Sequence, residues 1–196
     1  MSGGDVARIA SLAMSAGRTL RVLERARTAL VVIDVQEAFA KAVEGFDEVA
    51  AQTATLVRGA RTLGLPVLVT EQYPRGLGET VEPVRDALGD VERLPKTVFS
   101  AARAEGFDLA GRDQVLVCGI ETHVCVSQTV HDLLAGGVEA HVAVDAVGSR
   151  TAANRELGLR KMERSGAILT SVETALFELL GEAGSDEFKT IQKLVM

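Results

Sequence analysis

Cys125 stands at the head of an expected helix, just after the apolar run Val115 to Val117 and a polar turn that holds Thr122 and His123. A helix N-terminus carries partial positive charge and unpaired N–H groups, which bias a thiol towards its thiolate. The same N–H groups can hold an oxyanion once sulfur attacks a carbonyl. Two other side chains could serve such a nucleophile. Asp34 ends the apolar run Ala29 to Ile33, where partial burial would raise its pKa and fit it for general-base work on the thiol and later on water. Lys96, after Pro95, would supply a cation for thiolate and carboxylate alike. Each also has an ordinary structural explanation. Cys125 would be a small apolar core residue, Asp34 a cap for the turn before Gln36 and Glu37, and Lys96 a surface lysine.

Other chemistries fit the sequence less well. His123 and His131 are eight positions apart, so on one helix they would be separated by ~12 Å, too far to share a metal ion. His141 alternates within a strand-like run. There is no Gly-x-Ser-x-Gly elbow, and Gly76-Leu77-Gly78 lacks the third glycine and strand-to-helix setting of a dinucleotide site. No residues match a phosphate-binding loop. Cys118 and Cys125 lie seven positions apart and could in principle be bridged. Two cysteines in 196 residues do not make a disulfide scaffold, so a reducing, cytoplasmic setting is expected.

The elements that must position these residues alternate. Ala29 to Ile33 is continuous apolar sequence, as in a strand buried on both faces. A helix is expected over 45–63, a strand over Leu65 to Val69, and a loop over Glu71 to Gly78. A short strand or extended link follows over Val91 to Lys96, then an irregular piece over 101–110 and a strand over Val115 to Val117. A helix from about His123 to Ala135 ends at Gly136-Gly137. A strand over Val138 to Val144, a helix over Arg150 to Ser165, a strand over Ala167 to Thr170 and a last helix through Leu180 complete the series. Such alternation implies an α/β fold of three layers, α/β/α, around a mostly parallel, Rossmann-like sheet. Sites in such sheets form beyond the carboxyl ends of the strands, and Asp34, Lys96 and Cys125 all fall there.

Composition narrows the partners. A net charge of −6 with no basic stripe argues against nucleic acid or an acidic membrane surface, and aromatics at 4% leave few stacking platforms. No apolar stretch reaches the ~20 residues of a membrane helix. Residues 1–27 carry five arginines against Asp5 and Glu24. They resemble a transit peptide superficially but are expected to be a surface extension, ahead of a single domain over 28–196.

Three stretches, Ala29-Leu-Val-Val-Ile-Asp-Val-Gln36, Leu94-Pro-Lys-Thr-Val-Phe-Ser100 and Gly119-Ile-Glu-Thr-His-Val-Cys-Val126, together resemble the isochorismatase-like cysteine hydrolases. The resemblance runs from about Thr28 to Leu180. Thr70-Glu-Gln-Tyr-Pro74 is closest to the isochorismatase-domain-containing proteins of that superfamily. It implies a triad of Asp34, Lys96 and Cys125, a cis peptide between Ile120 and Glu121, and an oxyanion hole from the N–H groups of Glu121 and Cys125. Nicotinamidases of the superfamily carry an Asp-x-His metal pair where this chain has Gln72-Tyr73-Pro74. The resemblance therefore implies a hydrolase without metal or other cofactor, cleaving a small amide, carbamoyl or related carbonyl compound through a thioester. Gln36, Phe39, Tyr73 and His123 are expected to line the pocket, and a homo-oligomer is expected. Two alternatives stand beside this. One is vinyl-ether hydrolysis of an isochorismate-like substrate, which would tolerate loss of Cys125. The other is a catalytically weak scaffold, whose C-terminal Phe188 to Met196 would pack on a neighbouring subunit through Ile191, Leu194 and Val195.

Overall fold

Six parallel strands form the centre of the computed structural model, which describes residues 21–196: β1 Thr28–Ile33, β2 Val67–Gln72, β3 Arg93–Lys96, β4 Gln114–Ile120, β5 Glu139–Gly148 and β6 Ile168–Thr170. Their order is β3-β2-β1-β4-β5-β6, and every neighbouring pair is parallel. The sheet is thus wholly parallel, in the Rossmann order. From β1 the chain winds outward to β2 and β3, then returns to β4 on the other side of β1. That reversal opens a crevice between the ends of β1 and β4, where Asp34 and Cys125 follow their strands.

Two apolar layers cover the sheet, because each buried strand turns alternate side chains to opposite faces. Leu30 and Val32 of β1 and Leu116 and Cys118 of β4 pack on one face, against α1 (Phe46–Thr62), α3 (Glu82–Leu88), α6 (Val172–Leu180) and α7 (Asp186–Val195). Val31, Ile33, Val115 and Val117 pack on the other, against α4 (Ser127–Ala135) and α5 (Ala152–Arg164). Cys118 and Cys125 belong to opposite layers and both are free thiols.

Several elements differ from their sequence outlines for local reasons. β2 runs on through Thr70, Glu71 and Gln72, residues whose polar side chains ended the apolar run; here each has a buried partner. The expected loop after it therefore begins later and contains a short helical turn, α2 (Pro74–Leu77). α3 starts with Pro83 in its first turn and buries Val84, Ala87 and Leu88. The expected helix from His123 opens instead as a π-helical turn, Thr122–Val126, that leads into α4.

The C-terminal segment packs on its own domain. Ser185 caps α7 by accepting the Phe188 N–H at 3.0 Å, Ile191 is fully buried, and Leu194 and Val195 pack on the chain's own core beside α1. Of the extension expected over 1–27, residues 1–20 lie outside the described residues. The remainder lies against the domain: Leu23 is buried in the α1-side core, its N–H donating to Glu178 Oε2 at 3.1 Å, and the Glu24 N–H donates to Gln114 Oε1 at 2.8 Å. Among the described residues, no helix is long and apolar enough to cross a membrane.

Candidate active site

Asp34 leaves β1 with a positive φ of 53°, a conformation that aspartate tolerates better than most residues. This turns its carboxylate into the crevice, fully buried. Thr70 Oγ1 donates to Oδ1 at 2.8 Å, and the Lys96 ammonium donates to Oδ2 at 2.7 Å. Lys96 is the last residue of β3, two strands away. Its ammonium also donates to Gln72 Oε1 at 2.6 Å and to the carbonyls of Val98 and Phe99 at 3.2 and 3.0 Å. A buried ammonium with four acceptors is held in one place as a cation.

Cys125 comes to this pair from the third strand end. Gly119 allows the approach: it takes φ +122°, and a Cβ there would land on the Ile33 carbonyl of β1. The Ile120–Glu121 peptide is cis. Thr122 Oγ1 donates to the Gly148 carbonyl at 2.9 Å, and Thr129 Oγ1 donates to the Cys125 carbonyl at 2.7 Å. α5 sits directly on this turn at Gly158, where a Cβ would come within 2.9 Å of His123 Cα and the Thr122 carbonyl oxygen.

The electrostatics reverse one sequence expectation. Burial, then the charge of Asp34, pushes the Cys125 thiol up to about 12, with Lys96 opposing the rise. The helix-start bias towards thiolate is outweighed, and sulfur holds its proton more firmly than a free thiol does. Burial likewise raises the Asp34 carboxyl above the ordinary carboxylate value, against the pull of Lys96 and Thr70. Cys118, wholly buried, is also pushed up to about 12, chiefly by burial, with the Thr53 side chain opposing the rise and the Asp145 charge adding to it.

Asp34, Lys96 and Cys125 therefore meet, while the residues expected to line the pocket divide. A cavity of about 500 Å3 opens beside the site, walled by Tyr73, Pro74, Lys96, Val98 and Arg103 among others. Tyr73 lines it, 55% exposed. Gln36 does not: its buried amide is engaged by the main chain of Gln72 and Gly78. Phe39 packs on the α1-side core, and His123 is partly buried with Nδ1 3.1 Å from Ser149 Oγ. Cys125 is 5% exposed and lies outside the cavity wall.

Sequence reasoning missed Thr70, Gln72, Thr129 and Arg150. The N–H and Nε of Arg150 hold the Glu121 carboxylate at 2.9 and 3.1 Å. The N–H of Glu121, by contrast, has no protein acceptor among the described residues. For Thr70 and Gln72 a signal did exist: both fall at the carboxyl end of a parallel strand, where sites form.

Known proteins match this architecture. The isochorismatase domain model fits residues 28–174. The chain is 41% identical over 174 residues to isochorismatase domain-containing protein 1 of Salmo salar, covering 87% of this chain but only 61% of that protein's length. It is 41% identical over 195 residues to the secreted isochorismatase effector Isc1 of Phytophthora sojae, 95% of this chain and 92% of the relative. Among solved structures, the MAR1 ribonuclease of Caenorhabditis elegans superposes with a TM-score of 0.83 at 39% identity, over 89% of this chain and 92% of that one. With the family model spanning β1 to the start of α6, the chain belongs to the isochorismatase domain family, a family of hydrolases.

Proposed function

We propose that this chain is a metal-independent cysteine hydrolase that cleaves a small amide or carbamoyl compound through a thioester. The observation that carries it is the buried Lys96–Asp34 pair at 2.7 Å with the Cys125 thiol close enough to respond to both charges. In the proposed cycle Asp34 takes the thiol proton as sulfur bonds to the carbonyl carbon. The carbonyl electrons move to oxygen, which the N–H groups of Glu121 and Cys125 receive. Collapse re-forms the C=O and breaks the C–N bond, and Asp34 returns the proton to the departing nitrogen. Asp34 then takes a proton from water, hydroxide adds to the thioester, and the acid leaves as Asp34 reprotonates sulfur. Lys96 remains a cation throughout and balances whichever partner bears the negative charge.

A cavity of about 500 Å3 suits a small molecule, and a chain of net charge −6 is a poor receptor for RNA. The exposed Tyr73 and Val98 on the cavity wall, with exposed Phe99 next in sequence, support closure of the site by a second subunit, hence a homo-oligomer. Two free cysteines fit a reducing compartment.

Mass spectrometry of protein soaked with a panel of small amides and carbamoyl compounds tests the reaction. An acyl adduct on Cys125, absent from Cys125→Ala, is expected, with iodoacetamide labelling Cys125 ahead of Cys118. Turnover that survives Cys125→Ala would point to vinyl-ether hydrolysis. Cleavage of an RNA oligonucleotide by the same variant would point to the activity named for the nematode relative. Either result overturns the nucleophile.

A further inference from the structure

Lys96 is held by more than its carboxylate partner, and the additional hold converges on one glutamine. Gln72 ends β2 directly opposite Lys96 in the parallel register. Its side-chain Oε1 accepts from the ammonium at 2.6 Å, while its Nε2 donates to the Thr97 carbonyl at 2.9 Å. Those two demands fix which end of the amide faces which partner, since only oxygen can accept from an ammonium and only NH₂ can donate to a carbonyl. The backbone of Gln72 is clamped in turn. Its N–H donates to Gln36 Oε1 at 2.8 Å and its carbonyl accepts from Gln36 Nε2 at 3.0 Å; that same Nε2 also donates to the Gly78 carbonyl at 2.8 Å.

We propose that Gln72 is a positioning residue for Lys96. Its side-chain carbonyl, locked by Thr97 and by the Gln36 clamp, fixes the ammonium where it faces both Asp34 and Cys125. The role rests on Cys125 as the nucleophile, but the hold on Lys96 does not. Asp34 is the carboxylate on the ammonium, and Cys125 is the other titratable group facing it. Glu71, the adjacent carboxylate on β2, is bound to Thr80 through its Oε1 at 2.7 and 2.8 Å. The Thr97 to Phe99 segment depends on the same residue: Gln72 Nε2 holds its first carbonyl, and the ammonium that Gln72 orients holds the next two. Gln72 thus sets both the cation and the strip of chain beside the cavity.

Gln72→Met keeps length and volume but removes both hydrogen bonds. Iodoacetamide alkylation of Cys125, followed by peptide mass mapping between pH 7 and 10, reads how readily the thiol reacts as a nucleophile. A hydrogen bond to a charged group is worth enough that the rate is expected to fall about tenfold across that range, with the folded fraction checked by circular dichroism. A glutamine that served only packing would lower the melting temperature and leave that rate unchanged, which would overturn the proposal. If the methionine variant does not fold, Gln72→Glu is read instead. A carboxylate of equal length cannot donate to the Thr97 carbonyl and adds a second anion on the Lys96 ammonium, so alkylation must slow and an unchanged rate is again contrary. Trace acetylation of Lys96 by acetic anhydride separates this role from the nucleophile. Even with Cys125 inert in the wild type, Lys96 must be labelled faster in the Gln72→Met protein, and equal labelling refutes the positioning role.

Discussion

Lys96→Met is the perturbation that asks most of the buried pair. The substitution removes an ammonium whose side chain is almost wholly enclosed and leaves behind the Asp34 carboxylate, Gln72 Oε1 and two backbone carbonyls. Removing one member of a buried ion pair strands the other charge and destabilises by about 3–5 kcal/mol. In a domain of this size that is a fall of about 6–20 °C in melting temperature, at ~2–4 °C per kcal/mol. Asp34→Asn should destabilise comparably, because it strands the ammonium. The double variant Asp34→Asn/Lys96→Met should instead return to within about 1 kcal/mol of wild type or exceed it, since no buried charge remains. Linkage gives the same sign. The folded-state pKa of Asp34 lies above its unfolded value, so the carboxylate's contribution becomes less favourable as pH rises from the ordinary carboxylate value through the raised one. An ionised Asp34 is thus held against its own preference, and Lys96 is what makes its charge tolerable. Urea unfolding of the four proteins at pH 7 supplies the cycle. A Lys96→Met protein within 1 kcal/mol of wild type, or a double variant whose loss is the sum of the singles to within about 0.5 kcal/mol, would refute a coupled buried pair.

Two further outcomes are expected. Alkylation of Cys125, and turnover once a substrate is found, should decline on acidification with a midpoint above the ordinary aspartate value of about 3.9, because the base that accepts the thiol proton has a raised pKa; a midpoint at or below that value would show that Asp34 is not the base. Gly158→Val would push α5 away from the nucleophile turn, whose backbone a Cβ already meets at 2.9 Å; a loss of about 1–3 kcal/mol in denaturant unfolding and slower Cys125 alkylation should appear together, and a variant with neither change would disprove the close docking.

The residues that meet at the site were legible wherever a strand ended in sequence as well as in space. Asp34 follows an uninterrupted apolar run, and Cys125 follows a turn after another, so each could be placed at the carboxyl edge of a parallel sheet. Lys96 was legible for the same reason, although its burial was not, because nothing in Leu94-Pro95-Lys96 says which acceptors will surround the ammonium. Gln72 and Thr70 were hidden by composition: β2 stops being apolar after Val69, and the pairing of Thr70, Glu71 and Gln72 with β3 is visible only when β3 is in place. Gln36 was misassigned to the pocket by the opposite error. Its closeness to Asp34 in sequence suggested substrate contact, whereas its amide completes the backbone of a neighbouring strand. The protonated state of Cys125 was also out of reach. A helix-start argument counts dipoles, but the deciding quantities are burial and the Asp34 charge, both products of three strand ends converging.

That protonated thiol sharpens what the proposed mechanism requires. In the proposed cycle, the crevice before attack holds Asp34 and Lys96 as an ion pair with a neutral sulfur beside them, so the buried site starts electrically balanced. A free thiolate would add a second buried anion facing a single ammonium, an arrangement that burial penalises. In the proposed transition state the proton reaches Asp34 as negative charge appears on the substrate oxygen. The total charge of the crevice is unchanged; its anion has moved from Asp34 to the oxyanion, next to the Glu121 N–H that has no acceptor among the described residues. Burial contributes to both ends of this transfer, since it strengthens Asp34 as a base and withholds the thiolate until a carbonyl is present to take up the charge. On this account Lys96 serves by staying fixed while the negative charge moves past it. A residue with that duty needs several acceptors and one orientation, and the bonds it donates to Asp34, Gln72, Val98 and Phe99 supply both.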